Sequence, residues 1–151
     1  MKKSTLLIIL LIYVASIFAI NFFGMQIISY NKTSYITNIE CRNNKADYPN
    51  VLKFTDCRDT KTEYDNADFK VVINSNMSNK YTIEAKITPE DPTDSTLIFS
   101  LDDDSVATLS VNKHSATVTF NSTDIETINV TIIAADSNSV KCVIEITAIP
   151  L

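Results

Sequence analysis

The stretch PEDPTDSTLIFSLDDDSVATLS (Pro89–Ser110) decides how the chain is read. It holds six of the eighteen acidic residues, and Asp102, Asp103 and Asp104 are consecutive. Between its acidic ends, Leu97, Phe99 and Leu101 recur at every second position. That period is the signature of a strand with one face against a core. Pro89 and Pro92 cannot donate to a sheet ladder, so they end whatever strand comes before. The stretch reads as one core strand between two turns. A calcium loop of EF-hand type needs alternating acidic ligands, a Gly at the sharp turn and a Glu at the twelfth place. Asp102–Ser105 has neither that spacing nor that Gly. A cation shared between Asp91, Asp94 and the triple Asp would require both turns at one end of the domain. One intervening strand puts them at opposite ends, roughly 20 Å apart. The acidic run Asp102–Asp104 is left as a solvated turn and a contact patch, with no metal assigned.

The same period extends outward in both directions. Tyr81, Ile83, Ala85 and Ile87 alternate with Thr82, Glu84, Lys86 and Thr88. Phe69, Val71 and Ile73 form a second such set, and Ala116, Val118 and Phe120 a third. The longest runs are Ile128, Val130, Ile132, Ala134 and Cys142, Ile144, Ile146, Ala148. SYITNIE (34–40) and VLKFT (51–55) are earlier strand expectations. Turn-forming clusters such as NSNMSNK, VNKHS and ADSNS separate the runs. Strands at this spacing, without helical periodicity between them, predict an all-β antiparallel sandwich. The region 42–65 is charged, Asn/Asp-rich and least regular, and reads as an insertion.

The N-terminus has a different pattern. After Lys2 and Lys3 no charged residue occurs from Ser4 to Tyr30, and Leu6–Phe23 is almost entirely Leu, Ile, Val, Ala and Phe. About 20 apolar residues cross ~30 Å of hydrocarbon. Residues 4–28 are therefore expected to lie in a bilayer, with Leu6, Leu11, Val14, Ala15, Ala19 and Phe23 in the transmembrane core. Lysines before the run and none just after it predict a cytoplasmic N-terminus and a single pass. The alternative is a cleaved signal peptide, but such apolar regions run ~7–15 residues and end in a small-x-small site, and here the run is longer and that site poor. Ala15 and Ala19 make a small-xxx-small pair of the kind that supports helix pairing. The expected organisation is a cytoplasmic stub and signal-anchor helix over 1–29, followed by an extracytoplasmic domain over 30–151.

Composition excludes several classes of function. The formal net charge is −5, and Lys2 and Lys3 precede the apolar run, so the remainder is more acidic still. No Lys/Arg cluster could neutralise several phosphates, which argues against nucleic-acid binding. One glycine, Gly24, rules out a Gly-rich phosphate loop. The single histidine, His114, sits in the turn VNKHS beside Ser110 and Ser115, with nothing to mark a converging triad. Without Trp there is no platform for sugar cleavage. N-x-[ST] sequons arise by chance in a chain so rich in Asn, Ser and Thr. No catalytic, cofactor-binding or metal residues are assigned.

Cys41, Cys57 and Cys142 are an odd number. Outside the cytoplasm disulfides persist, and Cys41–Cys57 would close a short loop across the irregular region. The other reading is three free, buried thiols. Cys142 fits the second, in step with Val140, Ile144 and Ile146. One histidine and no CxxC leave no zinc site.

The run ITPEDPTDSTLIFSLDDDSVATLSVNKHSATVTF, followed by INVTIIAADSNSVKCVIEITAI, resembles a bacterial Ig-like domain of group 2 (Big2-like) type. The features carrying the resemblance are Thr88-Pro89-Glu90-Asp91-Pro92-Thr93-Asp94, the strand Leu97–Leu101, the acidic turn, and Val106-Ala107-Thr108-Leu109. The match covers about 66–149, with Tyr35–Cys41 as a first strand. Where the family usually has glycines, this chain has Asn112-Lys113, Glu126 and Ser137-Asn138. Asn tolerates positive φ, whereas Glu126 offers no such relief. The resemblance implies an Ig-like sandwich outside the cytoplasm, of a type found in surface proteins and adhesins. Fold alone does not assign function. The expected role is a membrane-anchored, non-enzymatic interaction or structural element of a bacterial cell envelope, with an envelope or surface protein as partner. The alternatives are an accessory subunit touching a larger membrane complex through both helix and ectodomain, and, remotely, an envelope hydrolase.

Overall fold

A computed structural model describes residues 3–30, 33–62 and 65–151, apart from the side chains at 3, 6, 7, 23–30 and 138. The chain divides into two compact units, one up to residue 33 and one from Ser34 to Leu151.

The first unit is the helix α1 (Lys3–Tyr30), 28 residues long. Leu11, Val14, Ala15 and Ala19 are exposed on it, while the side chains of Leu6 and Phe23 lie outside the described residues. Two polar side chains in its middle bond back to their own helix. Ser16 Oγ donates to the Ile12 carbonyl and Asn21 Nδ2 to the Ile17 carbonyl, each at 2.9 Å. Among the described residues no helix is long and apolar enough to cross a membrane. The unbroken run of described side chains in α1 extends only over 8–22.

The second unit is a β-sandwich. Its strands are β1 (Asn38–Cys41), β2 (Val51–Asp56), β3 (Phe69–Asn74), β4 (Lys80–Thr88), β5 (Leu97–Leu101), β6 (Ala107–Asn112), β7 (Ser115–Phe120), β8 (Glu126–Ala134) and β9 (Ser137–Ile149). One sheet has the order β1-β4-β7-β6 and the other β2-β3-β9-β8-β5. The chain changes sheet between β1 and β2, β3 and β4, β4 and β5, β5 and β6, and β7 and β8, so these sequence neighbours lie in opposite sheets.

The alternating sets end where the sequence pattern directs them. Ile128, Val130, Ile132 and Ala134 are buried, and Cys142, Ile144, Ile146 and Ala148 meet them from β9. Tyr81, Ile83, Ala116 and Val118 close the opposite wall. β-Branched residues lose little by being held in extended backbone, which is why these runs form strands before any packing is considered.

Three details differ from the sequence expectation. Every strand pair but one is antiparallel; β3 and β9 run parallel, with Phe69 opposite Ile144 and Ile73 opposite Ala148. The strand expected over 34–40 begins only at Asn38. Upstream, Ile36 N–H donates to the Asp136 carboxylate at 2.8 Å, and Ser34 exchanges bonds with Thr93, so a loop and a side chain replace a strand partner. The closing hairpin turns at Ala135-Asp136, and Ser137 and Asn138 already belong to β9.

The irregular region contains β2, which extends the second sheet beyond β3. Two buried asparagines fasten the loop before it. Asn44 Nδ2 donates to the Thr82 carbonyl at 2.6 Å, and its Oδ1 accepts from the Tyr81 hydroxyl at 3.1 Å. Asn50 Nδ2 donates to the carbonyls of Ser78 and Lys80, while its own carbonyl accepts from Asn74 N–H. Burial raises the pKa of the Tyr81 phenol above its ordinary value, so the hydroxyl stays a donor.

Candidate functional site

The acidic stretch that opens the sequence argument is built into the fold. Asp102 follows β5 and reaches β8, where its two carboxylate oxygens accept from Asn129 N–H at 2.9 Å and Asn129 Nδ2 at 2.8 Å. Asp103 Oδ1 accepts from Ser105 Oγ at 2.6 Å and Ser105 N–H at 2.8 Å. The Ser105 hydroxyl, assisted by its backbone N–H, holds Asp103 below the usual carboxylate range. Asp104 is exposed. At the other end of β5, Asp94 accepts from Thr96 N–H, and the Thr96 hydroxyl, assisted by that N–H, lowers its pKa. Asp94 and Asp103 thus make side-chain turns in which a carboxylate captures a backbone donor two residues on. Among the described residues no group of three or more His, Cys, Asp or Glu is placed to hold a metal ion.

A depression in the sandwich surface lies beside the β6–β7 hairpin. Ser95, Thr96, Leu97, Val111, Lys113 and His114 line an open depression of about 490 Å³. His114 is half-buried rather than free in solvent. Its Nε2 lies 2.8 Å from the Ser95 carbonyl, and a carbonyl can only accept, so Nε2 carries the proton. Ser115 Oγ donates instead to the Asn112 carbonyl, at 2.9 Å. The histidine thus ties the hairpin to the segment leading into β5. Its hydroxyl neighbour is committed elsewhere, so the two form no nucleophile–base pair.

Lys113 turns this hairpin with φ of 51°, in the left-handed region. Among the described residues it is the one that takes positive φ. Asn112 pairs with Ser115 inside the ladder, and Glu126 begins β8 opposite Ala148, so neither needs glycine's freedom. A non-Gly residue here costs about 1–2 kcal/mol, part of which glycine returns as chain entropy. Lys113→Gly is expected to raise the stability of the domain by about 0.5–1 kcal/mol. The check is a higher urea midpoint at unchanged slope.

The cysteines are buried and unbridged. The thiol that meets Cys41 belongs to Cys142, with Sγ···Sγ 3.7 Å. Cys57 Sγ lies 3.9 Å from the Thr55 carbonyl. This changes the partner expected from the sequence, and the reason is topological. Cys41 points inward from β1, which packs across the core from β9, whereas Cys57 follows β2 at the sheet edge. Spacing along the chain favours the nearer cysteine, but the sandwich brings together the two that are distant in sequence.

Comparison with protein-family models and with curated proteins found no match.

Proposed function

We propose that the chain is a membrane-anchored, non-enzymatic, extracytoplasmic Ig-like module that serves as an interaction or structural element of a bacterial cell envelope. The observation that carries this reading is a charge-free segment from Ser4 to Tyr30, held in one helix and joined to a single sandwich. The unbroken run of described side chains in α1, over 8–22, is shorter than the ~20 residues a span requires, and the support comes from the continuation of the apolar run on both sides of it. The internal bonds of Ser16 and Asn21 fit such a helix, because hydrocarbon offers their polar atoms no partner.

The strand order supports the Ig-like part of the reading. Taking β1, β4, β7 and β6 as A, B, E and D, and β5, β8 and β9 as C, F and G, reproduces the A-B-E-D and C-F-G sheets of that fold. β3 and β2 then continue the second sheet past G. The uses made of His114, Asp102 and Asp103 favour a binding or structural role, since each is engaged in holding turns together.

Expression of the full chain in a bacterial host tests the proposal. The chain is expected in the membrane pellet after an alkaline carbonate wash, and deletion of residues 4–28 is expected to release it. Lysines of the sandwich are expected to react with a membrane-impermeant amine reagent on intact spheroplasts. A full chain that washes off, or lysines that react only after lysis, would overturn the reading.

A further inference from the structure

The two sheets of the sandwich have no covalent link, yet a pair of thiols faces across the core between them. Cys41 ends β1 of the four-stranded sheet, and Cys142 lies within β9 of the five-stranded one. Both are buried, at 9% and 1% exposure, and their sulfurs are 3.7 Å apart. They are separated by 101 positions in the chain. We propose that Cys41 and Cys142 are a disulfide-forming pair that staples one sheet to the other, with Cys57 left as a free buried thiol.

A disulfide has S–S of ~2.05 Å, so each sulfur has to move by less than about 1 Å from the observed contact, within reach of side-chain rotation. The neighbourhood also favours this pair over any involving Cys57. Cys41 shares its inward face of β1 with Ile39. Cys142 alternates with Ile144 and Ile146 on the inward face of β9. Closing the bond therefore brings together two side chains already directed at one point in the core. Cys57 is held at the far edge, where its N–H donates to the Asp68 carbonyl at 2.9 Å.

The chemistry is two-step thiol–disulfide exchange with a disulfide-bearing oxidant, either an oxidised dithiol protein or glutathione disulfide. The thiolate of one cysteine attacks a sulfur of the oxidant, forming a mixed disulfide and expelling one thiolate. The second cysteine, deprotonated, attacks the protein sulfur of that mixed disulfide and expels the other. The chain loses two electrons and two protons, and the oxidant ends as two thiols. In the closed sandwich the Cys142 contact and burial keep the Cys41 proton in place, so the folded pair reacts slowly. Oxidation belongs to the stage before β1 docks. That strand has four residues and pairs only with β4, so it is a suitable element to close late. Occupancy of the bond in the cell rests on the extracytoplasmic reading above; the geometry does not.

The test uses the full chain in detergent micelles. It is unfolded with reductant, refolded in a glutathione redox buffer, alkylated under denaturing conditions, digested and weighed. The expected product joins the Cys41 and Cys142 peptides, lighter by two hydrogen atoms than their sum, with Cys57 alkylated. Because the bond closes a loop of about 100 residues, reductant is expected to lower the melting temperature by about 10 °C or more. In the variant Cys41→Ala/Cys142→Ala, that dependence on reductant is expected to vanish. Three alkylated cysteines in the folded product, a bridge containing Cys57, or a reductant effect that survives the double substitution would each overturn the pairing. The same alkylation on chain acid-trapped from cells separates the two claims. A pair that bridges in the redox buffer but is reduced in the cell refutes the extracytoplasmic placement and leaves the assignment of the pair intact.

Discussion

Phe69→Ala is expected to cost the sandwich about 3–5 kcal/mol, a large share of the ~5–15 kcal/mol by which domains of this size are stable. Phe69 is 1% exposed and stands on β3, the strand that pairs with both β2 and β9. Its ring lies 5.7 Å from that of Phe54 at 44°, a tilted pair joining β2 to β3. The Arg58 guanidinium sits 4.9 Å above the same ring, and it also bridges Asp56 and Glu40. Truncation therefore opens a cavity under the parallel pair and removes the surface on which Arg58 rests. Urea unfolding is the measurement, with a lowered midpoint at constant slope. Arg58→Ala, which removes only the cation over the ring, is expected to cost about 0.5–1 kcal/mol. Equal losses for the two variants would mean that Phe69 contributes little as core, contrary to its burial.

What could be read in the sequence beforehand follows from the range over which each signal acts. Period two is local, and it placed Phe69, Tyr81, Leu97, Phe99, Val118, Ile132 and Ile144 on buried faces without knowledge of any partner. Pairing is not local. Nothing near Phe69 announces that β3 will run parallel to a strand more than sixty residues away, and nothing near Cys41 points to Cys142 rather than to Cys57. The acidic stretch was legible as turns because Asp–x–Ser and Asp–x–Thr carry their own bonding partners, as at Asp103 and Asp94. His114 was legible only as a turn residue. Its acceptor, the Ser95 carbonyl, is backbone and leaves no mark in the sequence.

Asn44 is the clearest case of a residue whose composition misleads, and it carries the second large expected effect. In an Asn-rich, charged loop it reads as solvated, yet its side chain has no measurable exposure. A buried polar group persists only when its partners are supplied, and here the sheet supplies them through Thr82 and Tyr81. Asn44→Ala leaves the Tyr81 hydroxyl without its acceptor and the Thr82 carbonyl without that donor. The expected loss is about 2–4 kcal/mol, from two desolvated groups at roughly 1–3 kcal/mol each. Because the Asn44 backbone carbonyl accepts Asp47 N–H and Tyr48 N–H, the turn at 44–48 keeps its own bonds in the variant but is expected to loosen from β4 once the side-chain links to Thr82 and Tyr81 are gone. A double-mutant cycle with Tyr81→Phe isolates the contact. Once the phenol is gone there is one fewer orphaned group, so Asn44→Ala is expected to cost about 1 kcal/mol less in that background. Costs that simply add would mean that the asparagine acts through loop conformation alone. Coupling of the expected size would make the loop over 42–50 a keyed part of the sandwich, held by a side chain that composition assigns to solvent.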